Sequence, residues 1–174
     1  NTAQHARVGL GPVVAEHAWA LILAAARRIP SAARYQQGRV WATEQVWEEE
    51  PRPFEVSGLT LGLIGLGAIG REVARRARAF GMRVVAVKRR PDRGREWADE
   101  VYGPEELPRL LAQSDVVVLA APHTPQTRHL LGEREFALLK PSALLVNVSR
   151  GSLVEEAALC RALAERRLGG AALD

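Results

Sequence analysis

Residues 59–70 read Leu59-Thr60-Leu61-Gly62-Leu63-Ile64-Gly65-Leu66-Gly67-Ala68-Ile69-Gly70. The first half, through Ile64, is a short apolar run bounded by glycine, the pattern of a strand buried on both faces. The second half is Gly-x-Gly-x-x-Gly. A helical period follows from Ala68 to Phe80, and Gly81 closes it as a C-cap. This glycine spacing has a physical meaning only between a strand and a helix, which is where it stands. Gly65 permits the tight turn, Gly67 lets the backbone approach a pyrophosphate, and Gly70 lets the helix pack close on the strand. Ala68 and Ile69 open the helix, where free amides and the dipole favour an anion.

Strand and helix alternate through the rest of the chain. Arg83–Val87 is a second strand, Asp115–Ala121 a third, Ala143–Val148 a fourth, and Ala171–Leu173 starts a fifth. Pro104 opens a helix to about Ala112. Thr124-Pro125 and Glu133–Leu139 read as short helical turns. Ser152-Leu153-Val154-Glu155 reads as a capping box for a helix reaching about Arg167. This alternation predicts an α/β fold with a doubly wound parallel sheet of Rossmann type and right-handed crossovers.

Ahead of the first strand, Val13–Ile29 reads as one long helix, with Pro30 just past its end as the stop. Val14, Ala18, Leu21, Ile22, Ala25 and Ile29 share one face, while Trp19, Leu23 and Ala24 make the opposite face apolar. A helix apolar all round is buried on two sides, between domains or between subunits. Residues 31–57 are polar, with Pro51 and Pro53, and read as a long connection. The chain thus divides into an interdomain or dimer helix with its connecting loop (1–57) and a dinucleotide-binding domain (58–174). A homodimer is the expected assembly.

Composition narrows the classes. A chain of 174 residues, 47% apolar and 25% charged, builds a core and is not disordered. Cys160 stands alone, which excludes an internal disulfide framework and fits a reducing, cytoplasmic compartment. The longest apolar run, Ala18–Ala26, falls well short of the roughly 20 residues of a membrane span. No membrane partner and no metal site are expected. The chain begins at Asn1, carries no signal peptide, and stops at Asp174 directly after an apolar run; both ends read as cuts through a longer polypeptide.

The net charge of +4 is local in origin. Ten basic and two acidic residues lie between Arg71 and Arg95. Arg71 to Arg78 fall at helical spacing and read as a solvated face, so no nucleic-acid partner is expected. Lys88-Arg89-Arg90 differ, because they end the second strand roughly 20 residues past the glycine turn. In NAD-binding folds an acid there takes the ribose 2′-hydroxyl. Three cations suit a 2′-phosphate instead. The cofactor is therefore NAD(H) or NADP(H), with the electrostatics favouring NADP(H); a basic turn that only meets solvent is the other reading.

Taken together, these residues resemble a known family. Gly65, Gly67 and Gly70, Ser114-Asp115-Val116-Val117, Pro122-His123-Thr124-Pro125-Gln126-Thr127 and Asn147-Val148-Ser149-Arg150-Gly151 are similar to signatures of the D-isomer-specific 2-hydroxyacid dehydrogenases. Val14-Ala15-Glu16-His17 and Gly38-Arg39-Val40-Trp41 look like that family's long helix and the loop after it. The resemblance covers essentially the whole chain, and only the family's cofactor domain. It implies an NAD(P)-dependent oxidoreductase, similar to phosphoglycerate or glyoxylate-hydroxypyruvate reductases. Such an enzyme interconverts a small 2-keto acid and a D-2-hydroxy acid by hydride transfer. A non-catalytic, NAD(H)-sensing corepressor of the same fold is the alternative.

The resemblance also assigns roles. Arg150 matches the catalytic arginine that clamps the substrate carboxylate or keto oxygen, and a guanidinium fork suits that task. Thr127 matches a threonine that bonds the cofactor near its phosphates, and Pro122 lines the adenosine side. Val148 and Ser149 match backbone positions along the nicotinamide half. Asp174 matches the aspartate that accepts from the carboxamide. His123 and His129 flank a cofactor loop, and lining the cofactor rim is the lesser reading of His123. The family's proton-transfer histidine and its carboxylate partner lie C-terminal to the position of Asp174. None of His5, His17, His123 and His129 fits that part. The chain by itself is therefore expected to be inactive, lacking most of the substrate domain. Lys88, in place of the family's acid, is the second departure.

Overall fold

The computed structural model describes residues 9–174. Six strands form one parallel sheet in the order β3-β2-β1-β4-β5-β6. They are β1 (Thr60–Ile64), β2 (Arg83–Val87), β3 (Glu100–Tyr102), β4 (Val116–Leu119), β5 (Leu144–Asn147) and β6 (Gly170–Leu173). Alternate side chains serve opposite faces, as the period of two requires. Leu61, Leu63, Val84, Ala86, Val116, Val118 and Val146 join a core beneath α1 (Leu10–Ala26) and α4 (Ala68–Ala79). Ile64, Val85, Val87, Val117, Leu119 and Leu145 join a second core beneath α5 (Leu107–Gln113), α6 (Glu133–Phe136) and α7 (Glu156–Ala164). The sheet is thus covered on both faces. Gly62, in the middle of β1, is explained by the second core: a Cβ there would lie 2.0 Å from Ser114 Oγ.

The first helix starts and ends earlier than the sequence suggests. α1 closes at Ala26, Arg28 adopts a left-handed conformation (φ 55°), and Ile29 begins α2 (Ile29–Gln37). Pro30 therefore starts a helix rather than ending one, since a first-turn residue needs no amide partner. A third helix, α3 (Thr43–Glu48), follows, so the expected connection over residues 31–57 is partly helical. One face of α1 is buried through Ala15, Ala18, Trp19, Ile22 and Ala26. Trp19 donates its indole N–H to the Val73 carbonyl at 3.2 Å and stacks on Phe80. The other side keeps Leu10 and Val13 exposed.

Three more local readings change. Strand β3 has no independent signal; it exists because Val85, Ala86 and Val87 offer it an edge, and because Asp99 accepts from the Val84 amide at 2.8 Å. The expected capping box at Ser152 does not form. Ser152 sits in a 3₁₀ turn, Gly151–Leu153, and α7 begins at Glu156. Residues 152–155 instead pair with 129–131, the Leu131 amide donating to Leu153 and the Glu155 amide to Leu131. The segment after Thr124 is a hydrogen-bonded turn, not a helix. Among the described residues, no helix is long and apolar enough to cross a membrane.

Candidate functional site

Parallel strands aim their C-terminal ends the same way, so the loops after β1, β2, β4 and β5 meet along one rim. The chain order reverses between β1 and β4, where an open α/β sheet leaves its crevice. Gly65 turns the chain there with φ 102°, and a Cβ on it would lie 2.7 Å from the Ala121 amide. Gly70 packs against the same turn, its Cβ position 2.1 Å from the Gly65 carbonyl oxygen. Gly67 is different: its φ of −89° is open to any residue, and among the described residues a Cβ there meets nothing within 4 Å. None of the described residues requires glycine at 67. The space it leaves lies directly over the N-terminus of α4.

Among the described residues, no side chain caps that helix. Its first intrahelical bond runs from the Arg71 amide to the Gly67 carbonyl at 2.9 Å. The amides of Ala68, Ile69 and Gly70 therefore have no helical acceptor and face the opening. Free donors, the positive end of the dipole and an unfilled space above them fit a pyrophosphate.

Two hollows flank the turn. A cleft of about 620 Å³ is lined by Ile64, Gly65, Val87, Lys88, Arg89, Pro104, Leu107, Pro122, Thr127 and others. Its apolar walls suit a flat heterocycle. Thr127 donates its hydroxyl to the Pro122 carbonyl at 2.7 Å and accepts from the Thr124 amide at 2.8 Å, which shapes the far wall. A smaller recess of about 290 Å³ is lined by Leu66, Gly67, Arg71, Lys88, Arg89, Arg90 and Arg93. Lys88 and Arg89 border both.

The loop after β5 carries the remaining residues. Val148 is buried, and Ser149 donates its hydroxyl to the Ala121 carbonyl. Ala121 thus links the glycine turn to the loop of Arg150. The Arg150 side chain is exposed, and its hydrogen bond among the described residues goes to the Ser149 carbonyl at 2.9 Å. Asp174 follows β6; its amide donates to the Asn147 carbonyl, and its carboxylate lies 3.7 Å from His17 Nε2. Asp174 borders a separate hollow of about 590 Å³ with Asn147 and Gly151. His123 is exposed beside Pro122. His5 lies outside the described residues.

Residues 19–174 match the family model described as D-isomer specific 2-hydroxyacid dehydrogenase, NAD binding domain. The chain belongs to this family. As a 2-hydroxyacid dehydrogenase cofactor domain it is 44% identical over 166 residues to the glyoxylate reductase of Thermococcus gammatolerans, covering 92% of this chain and 48% of that protein. The apo structure of D-lactate dehydrogenase from Escherichia coli superposes with a TM-score of 0.84 at 32% identity, covering 94% of this chain and 50% of that one. An acyclic imino acid reductase in complex with NADPH and D-Arg gives 0.84 at 33% identity, covering 94% and 50%. The chain spans about half the length of the curated glyoxylate reductases it matches.

Three residues of this dehydrogenase domain's rim escape a reading of the sequence. Asn147 is buried, accepts from the Ser149 amide at 2.9 Å and donates to the Arg150 carbonyl at 3.0 Å, so it pins the loop that presents Arg150. It opens the motif Asn147–Gly151, where a polar residue closing an apolar strand is the signal that marks it. Arg71 and Arg93 join the basic recess from a helix and a loop. Arg71 directly follows the last glycine of the turn, yet its spacing matches an ordinary solvated helix face.

Proposed function

We propose that the chain is the cofactor-binding half of an oxidoreductase that interconverts a small 2-keto acid and a D-2-hydroxy acid. The observation that carries this reading is the linkage, through Ala121, of an uncapped helix N-terminus to an exposed Arg150 on a pinned loop. Gly65, Gly67 and Gly70, with the amides of Ala68 and Ile69, would hold the pyrophosphate. Pro122 and Thr127 would hold the adenosine half, and Val148, Ser149 and Asp174 the nicotinamide half. The nicotinamide, when bound, supplies the hydride. Arg150 binds the substrate carboxylate through its planar fork and polarises the keto oxygen, where negative charge grows as the carbonyl is reduced. The names of the glyoxylate reductase relatives support glyoxylate as a first substrate to try. The assay uses the natural polypeptide that carries this chain, with glyoxylate and other 2-keto acids. Arg150→Met is expected to lower kcat/KM by about 10²–10³-fold. A loss within about threefold would remove Arg150 from the reaction. No observation favours the corepressor alternative.

The preferred cofactor in this proposal is NADP(H). Support comes from the recess beside Gly67, where Arg71, Lys88, Arg89, Arg90 and Arg93 converge, and from the NADPH-bound relative. A guanidinium bonds a phosphate more strongly than a neutral donor does. NADPH is expected to bind at least about tenfold more tightly than NADH, a difference of about 1.4 kcal/mol. Paired titrations decide it, and NADH binding as tightly or more tightly sinks the preference.

The proposal includes a homodimer built on residues 1–57. Leu10 and Val13 of α1 are exposed, and Trp41 (92% exposed) and Trp47 stand beside an apolar groove between α2 and α3. Exposed apolar side chains of this size favour association. Light scattering at micromolar concentration is expected to give twice the chain mass; a monomer mass refutes the assembly. One exposed cysteine, Cys160, is compatible with the cytoplasmic location we assign.

A further inference from the structure

Within the basic recess, Lys88 stands apart from its neighbours. We propose that Lys88 is a positioning residue, whose ammonium holds loop 89–97 against the glycine turn so that Arg89, Arg90 and Arg93 face one phosphate-sized anion. The inference rests on the reading of this recess as the 2′-phosphate pocket.

The Lys88 backbone is fixed at the end of β2, its amide donating to the Tyr102 carbonyl at 3.1 Å. Its side chain turns back onto the loop that follows. Nζ donates to the Gly94 carbonyl at 2.5 Å and also to the Arg93 carbonyl. An ammonium is a compact donor with three hydrogens on a flexible stem. Two of the three are taken by carbonyls of the loop, while Lys88 also borders the recess.

Little else holds the loop. Residues 89–97 are all exposed. Their internal bonds are single turns, Arg93 to Arg90 at 3.2 Å, Gly94 to Asp92 at 3.1 Å and Ala98 to Arg95 at 3.0 Å. Gly94 and Glu96 have positive φ, of 71° and 54°. A surface ion pair, Arg71 with Glu96 at 3.5 Å, reaches outside the loop, and water screens it. Meanwhile Arg71, Arg89, Arg90 and Arg93 border one hollow of about 290 Å³. Like charges gathered there repel, so the backbone that carries them must be tied to keep them together. Lys88 supplies that tie. With the loop preformed, an incoming phosphate need not order it, which is how Lys88 can strengthen binding beyond any contact of its own.

The test compares Lys88→Met and Arg95→Met with the parent in the full chain. Arg95 removes the same charge from the same loop without bordering the recess. Hydrogen exchange at amides 89–97 is measured without cofactor, and dissociation constants are measured for NADPH and NADH. Lys88→Met is expected to speed exchange across 89–97 while the sheet keeps its protection. It is expected to weaken NADPH by about tenfold and NADH by less than about twofold. Arg95→Met should leave exchange at the parent level and weaken NADPH much less. Unchanged exchange in Lys88→Met overturns the proposal. So does faster exchange with undiminished NADPH affinity, and so does an Arg95→Met loss equal to that of Lys88→Met. If the parent prefers NADH, it is the 2′-phosphate reading that fails; the exchange result alone then decides whether Lys88 holds the loop.

Discussion

Replacing Gly67 by valine is expected to cost at least about 100-fold in cofactor affinity, about 2.7 kcal/mol, while the domain stays folded. The backbone at 67 has φ −89° and ψ −158°, extended geometry that a β-branched residue adopts readily. A Cβ there meets no atom of the described residues within 4 Å. The remaining stability cost is a poorer helix N-cap, less than about 1 kcal/mol. The isopropyl group would stand over the amides of Ala68, Ile69 and Gly70, where a pyrophosphate needs close backbone approach. Calorimetric titration of NADPH and NADH, beside a thermal melt, reads both quantities. Unchanged affinity would mean the cofactor does not sit on this turn. A large fall in melting temperature would mean the open space above Gly67 is needed by the fold itself.

Gly70→Ala should behave in the opposite way, losing stability first. A Cβ at 70 would sit 2.1 Å from the Gly65 carbonyl oxygen and 3.1 Å from its carbonyl carbon. Those are backbone atoms of a turn already at φ 102°, and Ala121 presses on its other side. They cannot swing aside as a side-chain tip would. Overpacking of this kind costs about 3 kcal/mol. Alanine returns about 1 kcal/mol through its higher helix propensity. A net loss of about 2 kcal/mol lowers the melting temperature by roughly 4–8 °C for a domain of this size. Cofactor affinity should fall as well, because relief of the clash moves Gly65. A melting temperature at or above the parent's would show that α4 does not pack on the turn this closely.

These two glycines separate features that are local in the chain from features that arise only when distant segments pack. Strands β1, β2, β4 and β5 were legible because each is a continuous run of branched apolar residues, and burial on both faces demands such a run. The turn at 65–70 was legible because three glycine requirements are local in the chain. Strand β3 was not legible. Glu100-Val101-Tyr102 is too short to show a period, and its pairing with Val85–Val87 is a contact made across the loop. Helices α2 and α3 carry no helical signal in the sequence, because residues 31–57 lack a sustained apolar stripe and Pro30 is an ordinary helix stop. The Ser152 capping box was a sound local pattern that lost to pairing with 129–131, where more backbone groups are satisfied. The site divides the same way. Arg150 stands in a recognisable motif, but the bonds of Asn147 that hold its loop depend on where a side chain points after folding. Lys88 looked like one of three equivalent cations. Only the folded loop turns its ammonium onto the Arg93 and Gly94 carbonyls and brings Arg71 and Arg93 to the same recess. Charge and spacing are properties of the chain; which donor meets which acceptor is settled by the approach of distant segments.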